Sequence, residues 1–145
     1  MICAGRAPEQ CGDPSKKDDP IEFVFAAAKA EPYRLAFTSP AARVALVLVP
    51  DPIESKNQGC TLKVIRLLPK FELAYLTGTG FPPNSKVEFD SQSYEERHRF
   101  AATTNAVGDL EFAVLPFVSG HNDGTTSVKT QGTGCSPSVQ FDWGR

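Results

Sequence analysis

From Leu62 to Trp143, apolar side chains recur at every second residue in one short segment after another, a period that fits β-strands and little else. Successive strand side chains point to opposite sides, so Leu110, Phe112 and Val114 share one face, as do Val139, Phe141 and Trp143. The same alternation runs through Phe71, Leu73 and Tyr75, through Val87 and Phe89, through His98, Phe100 and Ala102, and through Thr126, Val128 and Thr130. Leu62 and Val64 face one way and Ile65 and Leu67 the other, a change of phase that predicts a bulge or a crossing between sheets. Segments so short and so regularly spaced, with little helical pattern between them, predict an all-β sandwich.

The chain upstream is less regular. Residues 1–20 are polar, with Asp13 to Pro20 offering nothing to bury, and are expected to form a disordered tail. Residues 21–58 are expected to form an N-terminal β segment that packs on or extends a sandwich spanning 59–145. Within it, Ile21–Phe25 and the alternating Tyr33, Leu35 and Phe37 read as strands, whereas Ala26–Ala30 would also suit a helix. Arg43–Val49 is apolar on both faces and predicts a central, buried strand. Pro50, Pro52 and the polar stretch Glu54–Gly59 predict a loop.

Charge and length narrow the function classes. The net charge is −2 over 145 residues with both signs interspersed, so no basic stripe marks a nucleic-acid partner. No apolar run approaches the ~20 residues of a membrane-spanning helix, so no transmembrane segment is expected. The N-terminus lacks the basic and long apolar regions of a signal peptide. Two placements remain, cytosolic or extracytoplasmic with an export signal outside this stretch.

The four cysteines, Cys3, Cys11, Cys60 and Cys135, allow three pairings, and Cys3 and Cys11 either bridge each other or stay free. No C-x-x-C occurs and neither histidine lies near a cysteine, so zinc-ligand spacing is absent. An even count in a small β-rich chain reads as disulfides, which imply an oxidising compartment.

Three segments of the second half carry a family likeness. Leu76–Ser85, reading LTGTGFPPNS, resembles the glycine-x-glycine-phenylalanine signature of bacterial immunoglobulin-like and IPT/TIG-type domains. Ala102–Phe112 is similar to a later hairpin of such domains, and Gly124–Val128 to their penultimate strand. The resemblance covers residues 60–145 and implies an immunoglobulin-like β-sandwich with additional N-terminal strands. It gives Gly78, Gly80, Phe81, Pro82 and Gly108 structural roles, with Phe81 folding back over one end of the core. The first half resembles segments of secreted bacterial proteins. In the implied topology Cys60 and Cys135 fall at the same end of the sandwich, which makes a Cys60–Cys135 bridge the expected pairing.

Catalytic patterns are weak, and no catalytic residue or cofactor is expected. His98 lies within a strand pattern between Arg97 and Arg99, and His121 lies in the turn-forming Gly120–Gly124. Glu95 and Glu96 are adjacent and face opposite ways on a strand. Gly78-x-Gly80 runs into Phe-Pro-Pro, which starts no helix for a dinucleotide. Asn122 and Asp123, with Asp109, offer hard oxygen ligands for calcium on loops but lack the dense spacing of a dedicated site, so no metal is expected. Exposed aromatics such as Tyr94, near Ser91-Gln92-Ser93, suit carbohydrate or protein binding, and Tyr94 equally suits covering a strand edge, so no ligand-binding residue is assigned. The expected function is therefore a non-catalytic, secreted or cell-surface domain for binding, adhesion or assembly. A ligand-free structural spacer is the alternative, and an enzyme such as a hydrolase would need a cleft joining a histidine to carboxylates.

Overall fold

The computed structural model describes residues 28–68, 73–132 and 134–144. The expected tail, the Ile21–Phe25 strand, Phe71, Cys3 and Cys11 lie outside them. Two antiparallel four-stranded sheets face each other as an immunoglobulin-like β-sandwich. One runs β3 (Ile53–Asn57), β4 (Cys60–Leu68), β5 (Leu73–Thr79), β8 (Leu110–Val114); the other runs β10 (Ser138–Gly144), β9 (Asp123–Gln131), β6 (Lys86–Ser93), β7 (Glu96–Thr103). Two further strands, β1 (Tyr33–Thr38) and β2 (Arg43–Leu48), form a separate hairpin.

The alternation in the sequence is what fills the core. Leu62, Val64, Ala74, Leu76, Leu110 and Val114 point inward from one sheet, and Val87, Phe89, Val128, Val139 and Phe141 meet them from the other. Fully burying a side chain such as Leu62, Leu76 or Phe89 contributes roughly 1.5–3 kcal/mol. Phe89 anchors the contact between layers, its ring 5.5 Å from Phe100 and 4.6 Å from Phe112, with Phe100 and Phe112 at 5.1 Å. Along one seam, Asn57 Oδ1 accepts from Ser136 N at 3.0 Å and Ser55 Oγ from Ser138 N at 3.3 Å, which ties β3 to the start of β10.

Three local expectations are corrected. Glu54–Gly59 is not a loop, because Ile53–Asn57 forms edge strand β3 and the turn is confined to Gln58 and Gly59 at φ +47° and +89°. The bulge expected in β4 is present as a register shift between Arg66 and Leu68, but not directly after Val64, because Ile65 and Leu67 simply occupy the strand's outer face. Arg43–Val49 is not a central strand. Every residue of β2 is exposed, and β1 is the one strand it pairs with among the described residues. The eight strands β3 to β10 already close both layers around the core, so the hairpin has no interior left to enter. It is rooted where Ala30 N donates to Asp51 O at 2.6 Å and Ala30 O accepts from Arg66 N at 2.7 Å.

Candidate functional site

The two ends of the sandwich are built differently. At one end Cys60 and Cys135 form a disulfide with Cα atoms 5.7 Å apart, joining the start of β4 to the connection between β9 and β10. Gly78 faces the core beside Leu110, and Phe81 is buried over the same end. Gly80, at φ +78°, brings its backbone against the Gly59 carbonyl, and Gly108, at φ +86°, sits against the Phe81 carbonyl; a Cβ would collide in either place. Pro82 contributes its carbonyl to Thr104 Oγ1, which donates at 2.7 Å and accepts from Ser85 N at 2.8 Å. Phe81 N donates to Gly108 O at 3.1 Å. These bonds latch the 81–85 turn to the 104–109 loop. A cleft of about 570 Å³ opens beside the disulfide, lined by Gln58, Phe81, Lys86 and Gln131 among others. Its one charged side chain, Lys86, is ion-paired with Glu88 at 3.5 Å.

The opposite end carries an ordered aromatic group. The β6–β7 connection is a two-residue turn, Tyr94–Glu95, whose first residue sits at φ +51°. A bulky residue rarely adopts that conformation, which costs of order 1–3 kcal/mol and persists only when its surroundings hold it. Three contacts hold Tyr94. Its hydroxyl donates to Asp123 O at 2.7 Å, its ring stacks on His121 at 3.8 Å between centroids, and the edge of Trp143 approaches at 6.3 Å. Trp143 is itself fixed, with Nε1 donating to buried Ser93 Oγ at 3.0 Å. Tyr94 nonetheless remains 44% exposed, and His121 is exposed beside it.

Polar groups rim this stack. Gln92 Nε2 donates to the Tyr94 carbonyl at 3.3 Å, and Arg97 Nη2 donates to Gln92 Oε1 at 3.0 Å. Arg97 Nε also lies 3.6 Å from the buried carboxylate of Asp90. The cross-strand partners of Asp90 are Arg99 and Lys129. The neighbours of Asp90 in the register of the sheet are thus both basic. Leu115 and Phe117, exposed in the segment after β8, belong to the same end.

The other sequence candidates fall apart in space. His98 is exposed on β7 and 3.5 Å from Glu96, and neither His98 nor His121 is hydrogen-bonded to a serine, threonine or cysteine side chain among the described residues. Glu95 is an exposed turn residue. Asp109 sits in the loop that meets Phe81, whereas Asn122 and Asp123 flank the Tyr94 stack at the far end, so the three do not converge. Among the described residues no three His, Cys, Asp or Glu gather as metal ligands, and no helix is long and apolar enough to cross a membrane. The involvement of His121 and Trp143 was not legible from spacing, because they come from segments distant in sequence. Together the fold and this end define a disulfide-closed immunoglobulin-like sandwich that carries a fixed aromatic platform. Comparison with known families, curated proteins and solved structures finds no match.

Proposed function

We propose that this is a non-catalytic binding domain that works outside the cytoplasm, secreted or at a cell surface, and grips a glycan on the Tyr94–His121 stack. The observation that carries the reading is that Tyr94 is strained and yet exposed. The turn is braced by Asp123, His121 and Trp143, and 44% of Tyr94 nevertheless stays exposed. Preorganised exposed aromatic rings bind the apolar face of a sugar ring with little entropic loss, while the Gln92, Arg97 and Asn122 rim supplies hydrogen bonds to hydroxyls. The Cys60–Cys135 bridge supports the placement, since such bonds persist in oxidising compartments. The latch through Gly80, Phe81, Pro82 and Gly108 supports kinship with bacterial immunoglobulin-like and IPT/TIG-type domains.

The test is a glycan array probed with the full chain, followed by titration of the best ligand against Tyr94→Ala. Loss of one platform ring is expected to weaken binding at least about tenfold, in the range of interface hot spots. An array without signal, or binding indifferent to Tyr94→Ala, refutes the glycan reading. Tyr94-dependent capture of a protein in its place would transfer the site to a protein ligand.

A further inference from the structure

The polar rim of the Tyr94 platform continues into a charged face of its own sheet. Side chains alternate along a strand, so Asp90 and Gln92 of β6 share the outer face with their partners in register. Gln92 stands opposite Arg97 of β7, and Asp90 stands between Arg99 of β7 and Lys129 of β9. Arg97 is held from two sides: its Nε lies 3.6 Å from the buried Asp90 Oδ1, and its Nη2 donates to Gln92 Oε1 at 3.0 Å. The same Gln92 reaches the Tyr94 carbonyl, so one side chain joins this guanidinium to the platform turn. Even so, 51% of the Arg97 side chain faces water, and its remaining N–H donors are uncommitted among the described residues. Arg99 and Lys129 are exposed and make no hydrogen bond or ion pair among those residues. With one strand between them their Cβ atoms are roughly 10 Å apart, a gap that two long side chains close over one anionic group.

The acids of this face leave that positive charge uncancelled. Glu88 is paired with Lys86 at 3.5 Å, and Asp142 accepts from Thr125 Oγ1 at 2.7 Å. Asp90 is a single buried carboxylate among Arg97, Arg99 and Lys129. Glu96 points to the other face, 3.5 Å from His98. Glu95 and Asp123 lie at the turn end, Asp123 being roughly 20 Å along β9 from Lys129 at the usual strand rise. A guanidinium whose one edge is fastened and whose other donors are open matches the paired oxygens of a carboxylate or sulfate. Resting on the glycan reading above, we propose that the glycan is acidic. The Tyr94–His121 stack takes an apolar sugar face, while Arg97, with Arg99 and Lys129 beyond it, receives a carboxylate or sulfate ester of the same sugar chain. The protein as a whole carries a net charge of −2, so it has no general attraction for polyanions, and the recognition is local to this face.

Titration calorimetry of the full chain against two matched pairs of polymers tests this: polygalacturonate and its methyl ester, and dextran sulfate and unsubstituted dextran. The acidic member of at least one pair is expected to bind at least about tenfold more tightly than its neutral counterpart, and the pair that responds separates carboxylate from sulfate. Added salt should erode the preference. Arg97→Gln should lose at least about tenfold on the acidic polymer and nothing on the neutral one. Because that change also takes a partner from Asp90, Arg99→Gln/Lys129→Gln is the second variant, at positions without partners, and should lose about three- to tenfold. Trp143 fluorescence checks that each variant is folded. Arg43→Gln, an equal charge change on β2, should bind as the parent does. Equal affinity within both pairs, with Tyr94→Ala abolishing it, leaves the platform standing and overturns this inference alone. Acidic binding that survives Tyr94→Ala refutes the platform reading and this inference with it, since the anion would then be bound apart from the ring. No binding to any of the four polymers, an equal loss in Arg43→Gln, or polyglutamate binding as tightly as the acidic polysaccharides also overturns it, the last because charge alone would then be recognised.

Discussion

Breaking the Cys60–Cys135 bond should remove a large share of the stability of the sandwich. The bond closes a loop of 75 residues, and the chain-entropy relation for a loop of that length gives about 4.5 kcal/mol at 25 °C. Domains of this size are stable by roughly 5–15 kcal/mol in all. Reduction leaves both sulfurs in place and Cys60 still buried in the core, so the loss reflects the freed unfolded chain rather than a cavity. Trp143 is the only tryptophan, buried and hydrogen-bonded to Ser93, which makes its fluorescence a direct readout of unfolding. Urea titrations would be run with and without reductant on Cys3→Ser/Cys11→Ser protein, in which only this bond responds. The expected result is a fall of about 3–5 kcal/mol, equivalent to a midpoint lower by about 2 M at a slope of ~2 kcal/mol/M, with the slope itself rising as the reduced chain expands. A change below about 1 kcal/mol, or a peptide map without the 60–135 linkage, would refute the assignment of the end clamp to this bond.

Two further outcomes are expected. Gly108→Ala must hold a left-handed conformation and place a methyl against the Phe81 carbonyl, so it should cost at least about 2 kcal/mol, read as a lowered thermal midpoint with the disulfide intact. Tyr75 donates its phenolic proton to Glu111 Oε2, and that hydrogen bond, followed by partial desolvation and the carboxylate's charge, raises its pKa above the ordinary 10.0. Because the folded value is the higher one, the contribution of this contact is present below the ordinary value and is lost as pH rises through the folded one. Alkaline spectrophotometric titration should therefore show Tyr75 ionising above the ordinary phenol value, and Glu111→Gln should lower its midpoint.

Strands β4 to β10 were legible because each buries one face against the other sheet, and that requirement writes itself as alternation, clearest in Leu110–Val114 and Val139–Trp143. Strand β3 was hidden because Ile-Glu-Ser-Lys-Asn places one large apolar residue inward on an edge. The better cue was Gln58-Gly59, two residues suited to positive φ between segments able to pair. Strand β2 misled for the opposite reason. Valine and leucine on both faces read as a buried strand, whereas β2 pairs with β1 alone among the described residues and is exposed throughout. The platform was half legible: Tyr94 stood out in its loop, but its positive φ, the His121 stack and the Trp143 support come from tertiary contacts between β6, β9 and β10.

The distribution of order and exposure along the sandwich has one consequence. The disulfide, the Thr104 latch and the buried ring of Phe81 all brace one end, where Val107 is the one exposed large apolar residue among those described. Tyr94, Leu67, Leu115 and Phe117 are exposed at the other end, and the β1–β2 hairpin, whose strand β2 is exposed throughout, is rooted there through Arg66. Exposed apolar area and a strained turn both reduce net stability, so an end that carries them depends on stability supplied elsewhere. The covalent loop does this most economically. It destabilises the unfolded state without adding contacts at the exposed end, so Tyr94 and β2 stay exposed while the remaining strands keep the fold closed.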